Sequence, residues 1–300
     1  MPHPYALLDV FTDTPLAGNP LAIVSDADDL SEAQMQAIAK EFNLSETVFI
    51  TTPLDEKSHA SIRIFTTVYE MPFAGHPIIG TACYLAMKNM RAENQRPITL
   101  HVPLGAVPCE ITLSTSGLLA ARLTAPQSPK KLPCPANSNT IARALGIEID
   151  DIGFADFTPT QFDSGVPYTC VPVKSRAALS RAKPDLSCWT DAFGAHSHND
   201  AYVFTNETDN PACAYSVRMF APHGGAMEDP ATGSAAVAFA GVLADQIVRN
   251  EQPQSLLIEQ GNDMGRPSLI QLGFQADSGI ARNVGIGGTS VLMIEGTLHL

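Results

Sequence analysis

Short apolar runs recur along the chain and are separated by glycine, proline and aspartate, a pattern typical of strands joined by turns. In the first half they lie at residues 6–11, 21–24, 47–51, 61–65, 98–102, 107–113 and 119–123. Two longer stretches predict helices. Residues 31–42 begin with Ser31 and Gln34 at capping-box spacing and place their apolar side chains on one face. Residues 78–90 are apolar on almost every side, which indicates a buried helix.

A proline-rich segment, residues 127–138, has no apolar period and is interpreted as a connector between two halves of the chain. The strand pattern then returns at residues 168–173, 201–204, 215–220, 256–259, 268–272 and 290–295. Helices are predicted at residues 139–144 and 234–247. The second half therefore repeats the organisation of the first.

The repeat is also visible in individual residues. Segments 18–20, 63–65 and 76–82 match segments 165–167, 218–220 and 229–235, at offsets of 147, 155 and 153 residues in the same order. Glycine- and alanine-rich strings align readily by chance, but three matches in one order favour a duplication. We therefore predict two similar α+β lobes, residues 1–126 and 127–300, that face each other across a cleft. The last strand could pack back on the first lobe. Clefts of this kind are where small-molecule sites form.

Composition and charge limit the classes of partner and substrate that the protein is expected to bind. Charged residues make up only 16% of the 300 residues, against about 25% in typical soluble domains, so some surface is expected to be hidden between lobes or subunits. The 31 acidic and 18 basic residues give a net charge of −13. Such a field repels phosphate backbones and anionic lipids, which argues against nucleic-acid and membrane partners. A small anionic substrate would need local positive dipoles.

The chain shows no sign of a membrane or secreted protein. No apolar run reaches the roughly 18 residues that a membrane helix needs, and the amino terminus lacks the charge and apolar pattern of a signal peptide. Six cysteines are scattered without a CxxC pair. Free thiols in a reducing cytoplasm are the expected state.

The two copies of the third repeated segment carry the candidate chemistry. Gly80-Thr81 and Gly233-Ser234 are expected at the start of a helix, where exposed N–H groups and the helix dipole can hold a carboxylate. Plain capping by the two hydroxyl groups is the alternative. Each segment opens with a titratable residue, His76 or Asp229, which is what proton transfer beside a bound carboxylate needs. A histidine satisfied by backbone in a turn is the other interpretation.

These motifs resemble the phenazine-biosynthesis PhzC/PhzF-like family, whose members share the two-lobed fold of diaminopimelate epimerase and proline racemase. The matching segments are 9–13, 18–20, 43–49, 63–65, 74–80, 218–220, 228–235, 260–261 and 265–268, in the family's order over nearly the whole chain. The resemblance implies an α+β fold in which each lobe is a mixed or antiparallel, barrel-like sheet around a central helix. It also implies an active site in the cleft between the lobes.

The resemblance further implies roles for particular residues. Glu46 is expected to be the general acid and base, with His76 and Asp229 beside it in a catalytic pocket. From the residues alone, a solvated residue at the start of a strand is the preferred interpretation of Glu46. It aligns with Asp200 at an offset of 154 residues. The substrate-binding residues expected from the motifs and the helix starts are Gly75, Gly80, Thr81, Gly233 and Ser234.

The predicted activity is that of a PhzF-like isomerase that acts on a small carboxylate-bearing substrate without metal, nucleotide or other cofactor. Fold relatives that epimerise amino acids use one cysteine from each lobe, and neither motif here contains a cysteine, which disfavours a two-thiol racemase. Two alternatives stay open: an amino or hydroxy acid epimerase or racemase, and a non-catalytic protein that binds small carboxylates. The low charged fraction and the resemblance both favour a homodimer.

Overall fold

The chain forms two units, and its residues from Gly287 onward belong to the first of them. The computed structural model describes residues 2–55, 58–89, 97–195, 200–223, 226–246 and 252–300. One unit comprises Met1–Thr124 and Gly287–Leu300, and the other comprises Ala125–Ile286. None of the helices in these described ranges is long and apolar enough to cross a membrane.

The elements are numbered in chain order. The strands are β1 (Pro2–Val10), β2 (Asn19–Val24), β3 (Glu46–Thr51), β4 (Ala60–Phe65), β5 (Glu70–Met71), β6 (Ile98–Val102), β7 (Gly105–Leu113), β8 (Leu119–Thr124), β9 (Lys130–Leu132), β10 (Thr160–Asp163), β11 (Pro167–Pro172), β12 (Asp200–Thr205), β13 (Tyr215–Ala221), β14 (Ala226–Asp229), β15 (Gln254–Gln260), β16 (Ser268–Asp277) and β17 (Ile280–His299). The helices are α1 (Glu32–Phe42), α2 (Gly75–Asn89), α3 (Ser138–Ala144), α4 (Arg176–Arg181), α5 (Trp189–Phe193) and α6 (Gly233–Gln246), with short 3₁₀ turns at Ile149–Asp151 and Asn262–Met264.

The first unit is a closed β-barrel. Around it, β2 lies parallel to β3, β3 antiparallel to β4, β4 parallel to β6, and β6, β7 and β8 follow as an antiparallel meander. The ring closes because β17 pairs with both β8 and β1, and β1 pairs with β2. Residues Pro2–Val10 therefore lie beside Ser290–His299, so the two ends of the chain form neighbouring strands of the barrel.

The helix α2 fills this barrel. It packs against six of the strands, β1, β2, β3, β6, β7 and β8, and Ile78, Ile79, Ala82 and Ala86 are fully buried. The prediction of a buried helix is confirmed. The other helix of the unit, α1, begins after the cap Ser31, which forms the predicted capping box with Gln34. It covers the opposite face of β3 and β4 through a separate apolar cluster.

The second unit has the same order of pairings as the first. Here β11 lies parallel to β12, β12 antiparallel to β13, β13 antiparallel to β14 and parallel to β15, and β15 antiparallel to β16. These relations match those of β2 to β7. The helix α6 packs against β9, β10, β11 and β16, whereas α3, α4 and α5 pack on the opposite face around the buried Trp189.

One ion pair recurs at the corresponding place in both units. Arg63 of β4 donates two hydrogen bonds to Glu70 of β5 and lies over the ring of Phe65. Arg218 of β13 does the same with Glu228 of β14 and Phe220. The repeated Arg-x-Phe segment therefore fastens a short strand that leads towards each buried helix.

The helix starts correct one expectation from the sequence. Helix α2 begins at Gly75, so Gly80 and Thr81 lie in its second turn and not at its start. The hydroxyl of Thr81 is fully buried in the helix and donates to the Pro77 carbonyl at 2.7 Å. The expectation that these two residues present N–H groups to an anion is wrong. Helix α6 does begin at Gly233, as predicted. When α2 and α6 are aligned at their first residues, Ser234 corresponds to His76, because each is the second residue of its helix.

Short elements account for the other differences. Residues 127–138, interpreted as a connector, contain β9, which pairs with β10 in the second unit. The elements β5, β10, β14, α4 and α5 were not predicted, because each has only two to six residues and periodicity is unreadable over so few positions. The predicted strand at 290–295 is part of the 20-residue β17.

The role of Gly80 is to let α2 approach the barrel wall closely. A Cβ atom there would lie 2.6 Å from Leu21 Cδ2 and 2.8 Å from Val10 Cγ2. We expect Gly80→Ala to lower the free energy of unfolding by about 1–3 kcal/mol through overpacking, although alanine is intrinsically the better helix former by about 1 kcal/mol. Urea unfolding measures the change.

A double variant checks the cause. In the Leu21→Ala background, the atom closest to the new Cβ is absent, so Gly80→Ala should cost clearly less than in the wild type. Equal costs in both backgrounds would show that the contact with Leu21 is not the reason.

Candidate active site

Three polar side chains meet at one end of the first unit, and we call them the Glu46 cluster: Asn19, Glu46 and His76. Asn19 is the first residue of β2, Glu46 is the first residue of β3, and His76 is the second residue of α2. The Nδ1 atom of His76 lies 3.5 Å from Glu46 Oε2 and 3.3 Å from Asn19 Nδ2. The start of the buried helix therefore meets the starts of two parallel strands.

Strand register explains why these side chains share a face. Leu21 of β2 lies opposite Glu46 of β3, and Leu21 faces Gly80 of α2. Because side chains two apart on a strand point the same way, Asn19 and Glu46 both face α2. The turn before β2 requires Gly18, whose φ is +68° and whose added Cβ would lie 2.3 Å from the Val10 carbonyl oxygen.

His76 is held neutral by its surroundings. Only 4% of the residue is exposed, and burial lowers its pKa to about 3. Its Nδ1 atom can accept from the Asn19 amide or donate to the Glu46 carboxylate, depending on the tautomer. Its Nε2 atom is buried and has no hydrogen-bond partner among the described residues. One ring nitrogen thus lies against Glu46, and the other has unused hydrogen-bonding capacity.

A second group of polar residues, the Asp229 cluster, forms in the second unit from Asp229, Thr232 and Gln260. Asp229 ends β14 and its Oδ2 atom accepts a 2.6 Å hydrogen bond from the Thr232 hydroxyl. The Gln260 amide donates to the Asp229 carbonyl at 2.8 Å and to Thr232 Oγ1 at 3.0 Å. Its oxygen accepts from the Thr232 N–H at 3.2 Å. Gln260 therefore holds the loop that presents the Asp229 carboxylate.

The start of α6 is fixed by two further residues. The Ser234 hydroxyl lies 2.7 Å from the Tyr168 hydroxyl of β11. Ser164 donates to the Ser234 carbonyl at 2.9 Å. Gly233, the first residue of the helix, is buried. Ser234 is thus a positioned hydroxyl at the positive end of a buried helix, an arrangement that suits an anion.

Asp200 also belongs to this part of the second unit. It is the first residue of β12, and only 7% of it is exposed. Burial, and secondarily the charge of Asp229, raise the pKa of the Asp200 carboxyl to about 7. The sequence pointed to a role for it through its alignment with Glu46.

The predicted site residues therefore fall into two sets. The structure brings Glu46, His76 and Gly75 together in the first unit, and Asp229, Gly233 and Ser234 lie near one another in the second. Gly80 and Thr81 serve packing inside α2. Sequence reasoning missed Asn19, Tyr168, Thr232 and Gln260 as site residues. Asn19, Thr232 and Gln260 lay within matched motifs, but Tyr168 carried no signal of its own.

The cysteines offer no base at either cluster. Cys83 lies within α2 and is fully buried, and burial raises the pKa of its thiol to about 11. Burial likewise raises the pKa of Cys109 to about 12, and it also raises the pKa of Cys170 in the second unit. Such thiols stay protonated at neutral pH and make poor proton acceptors.

Comparison with known proteins identifies the family of the chain. The family model described as phenazine biosynthesis-like protein, PhzC-PhzF, matches residues 8–296. The chain belongs to this family. It is 40% identical to an uncharacterized isomerase of Mesorhizobium japonicum over 99% of this chain and 98% of that one. It is 35% identical to the trans-2,3-dihydro-3-hydroxyanthranilate isomerase of Pseudomonas chlororaphis, over 99% of this chain and 100% of that one.

Solved structures agree with this assignment. The Bacillus anthracis phenazine biosynthesis protein of the PhzF family superposes with a TM-score of 0.88 at 25% identity, covering 100% of both chains. A hydroxyproline epimerase from Agrobacterium vitis superposes with a TM-score of 0.64 at 11% identity, covering 99% of this chain and 91% of that one. The fold is that of PhzF proteins and of proline racemase-like enzymes, and this PhzF-like chain is an isomerase.

The neutral state of His76 has a measurable consequence for stability. Its folded pKa of about 3 lies below the value of about 6.5 expected in the unfolded chain. Between these values the unfolded chain binds a proton that the folded chain does not, so stability falls as pH falls from 6.5 towards 3. We expect this group to cost roughly 1 kcal/mol per pH unit below 6.

Urea unfolding of the wild type and of His76→Gln at pH 7, 6 and 5 isolates that contribution. The glutamine variant lacks the titrating ring, so the difference in unfolding free energy between the two proteins should shrink or change sign as pH falls. A constant difference across this range would show that the pKa of His76 is the same in the folded and the unfolded chain.

Proposed function

We propose that this PhzF-like chain moves a proton from one carbon to another on a small carboxylate-bearing substrate, of the trans-2,3-dihydro-3-hydroxyanthranilate type. The observation that carries the proposal is the 3.5 Å contact between Glu46 Oε2 and the neutral ring of His76 at the start of α2. The name of the 35% identical Pseudomonas chlororaphis relative supports the substrate class.

Glu46 is the proposed general acid and base. A carboxylate can take a proton from carbon and return it at another position of a conjugated system, which needs one group that stays within reach of both carbons. The Glu46 side chain is 15% exposed, so it is largely screened from water but still accessible. The neutral His76 orients it through Nδ1 without a full ion pair that would lower its basicity.

The substrate carboxylate is proposed to bind where backbone N–H groups are exposed. In the second unit these belong to the first turn of α6, at Gly233 and Ser234. In the first unit Gly75, which opens α2, takes the role first expected of Gly80 and Thr81. Helix starts explain how a chain with a net charge of −13 can bind an anion without a basic side chain.

Asp229 is proposed to complete the catalytic set. The hydrogen bonds from Thr232 and Gln260 fix its carboxylate and its backbone. A fixed carboxylate can accept a hydrogen bond from an amino or hydroxyl group of the substrate, which orients the carbon that exchanges its proton. Its role is binding and orientation, with the proton itself carried by Glu46.

The test is turnover by Glu46→Gln. Glutamine keeps the shape and hydrogen-bonding capacity of the side chain but cannot carry the proton. We expect the rate of isomerisation of trans-2,3-dihydro-3-hydroxyanthranilate to fall by about 10²–10⁴-fold, with the unfolding midpoint little changed. NMR in D₂O follows both product formation and deuterium incorporation at carbon.

Glu41→Gln is the matched control, because Glu41 is exposed on α1 and should have no effect. A near-normal rate in Glu46→Gln would remove Glu46 from the mechanism. Deuterium exchange at the α-carbon of amino or hydroxy acids, without isomerisation, would instead identify an epimerase. Binding without any exchange would identify a non-catalytic carboxylate-binding protein.

A further inference from the structure

Asp200 occupies the position in the second unit that Glu46 occupies in the first. Each is the first residue of the second of two parallel strands, and Tyr168 pairs with Asp200 as Leu21 pairs with Glu46. Asp200 is more than nine-tenths buried. Its Oδ1 atom has no hydrogen-bond partner within the described ranges. A buried carboxyl oxygen without a hydrogen-bond partner is rare in folded proteins and calls for an explanation.

Strand alternation shows what Asp200 faces. Tyr202 and Phe204 of β12 contact the Phe239 ring of α6, so Asp200, two residues before Tyr202, also faces α6. Met219 lies opposite both Tyr202 and Asp229 across the sheet, which places Asp229 on that face. The Asp200 carboxyl therefore lies on the face that carries Asp229.

The same face carries the start of α6 and a second unsatisfied polar atom. Tyr168, the register partner of Asp200, contacts the Ser234 hydroxyl. The Tyr202 hydroxyl is fully buried and lacks a hydrogen-bond partner in the part of the chain that the structure describes. Two buried polar groups without partners thus lie on the face that packs against α6, and such groups indicate a place for a ligand.

The negative charge of Asp229, on β14, favours the neutral form of Asp200. The other titratable groups on this face are Tyr168 and Cys170 of β11 and Tyr202 of β12. Arg218 of β13 is held on the opposite face by α4 carbonyls and Glu228. Asp229 keeps a hydrogen bond from Thr232 that stabilises its charge. With burial and a neighbouring negative charge, the pKa of Asp200 rises to about 7.

We propose that Asp200 is a further ligand-binding residue of this isomerase, whose neutral carboxylic acid donates a hydrogen bond to a carboxylate or carbonyl oxygen of the substrate. This inference rests on the proposed function, because it takes the substrate to be an anion bound near the start of α6. It assigns the two carboxyls of the second unit different states: Asp200 donates as the acid, and Asp229 accepts as the carboxylate.

The inference predicts how affinity depends on pH. Below pH 7 Asp200 carries the proton that it donates, and binding an anion favours that form further. Above pH 7 the free protein must first take up a proton, so affinity for the anion should fall towards tenfold per pH unit. Asp200→Asn keeps an N–H donor of similar shape at every pH, and Asp200→Ala removes the donor.

Calorimetric titration with 2-aminobenzoate between pH 6 and 8.5 tests this without turnover. We expect wild-type affinity to fall as pH rises above 7. Asp200→Asn should bind within a few-fold of the wild type at pH 6 and show no such fall. Asp200→Ala should bind at least tenfold more weakly at pH 6. A variant with His196 and His198, which lie outside the described residues, replaced by glutamine should keep the wild-type fall.

Any of three results would overturn the inference. The first is that the wild type shows no measurable binding at pH 6. The others are that Asp200→Ala binds with unchanged affinity, or that Asp200→Asn keeps the pH profile of the wild type. The proposed function fails separately, when the wild type does not isomerise trans-2,3-dihydro-3-hydroxyanthranilate, and the titration still reports on Asp200 in that case. Conversely, if Asp200→Ala turns over the substrate at the wild-type rate and with the same KM, the proposed function holds but Asp200 has no part in it.

Discussion

The rest of the structure depends on the burial of a nearly apolar helix inside a closed ring of strands. Helix α2 packs against six strands, and a side chain as small as alanine at Gly80 would already collide with the wall. Such a helix has no free flank on which to carry polar groups, so chemistry is confined to its ends. Unpaired N–H groups at the amino-terminal end then supply positive potential. The Glu46 cluster is assembled at that end.

The two units share one framework of strands, and they differ at the few positions that carry the polar groups. Both units have the same strand pairings and the same Arg–Glu pair, Arg63 with Glu70 and Arg218 with Glu228. The second residue of the buried helix differs, however, being His76 in α2 and Ser234 in α6. The first unit thus pairs the Glu46 carboxylate with the neutral imidazole of His76. The second unit instead has the carboxyls of Asp200 and Asp229 beside the Ser234 hydroxyl.

Sequence patterns predicted most of the elements but not their junctions. The capping box at Ser31 placed the start of α1 to within a residue, because capping is a local interaction. Local patterns could not place the start of α2 at Gly75, since the apolar signal becomes clear only at Ile78. Glu46 and His76 are 30 residues apart, and their contact follows from barrel closure. Its prediction needed the family motif, and no short-range pattern would have found Tyr168.

Barrel closure also has a consequence for how the chain folds. The strand β1 pairs with residues 290–299 of β17, which are far from it along the chain. Contacts between such distant segments carry a large loop-closure cost and slow folding. Until β17 has formed, one edge of β1 therefore has no partner strand. An unpaired edge is prone to association with other chains, so pairing with β17 removes an aggregation-prone edge from the barrel.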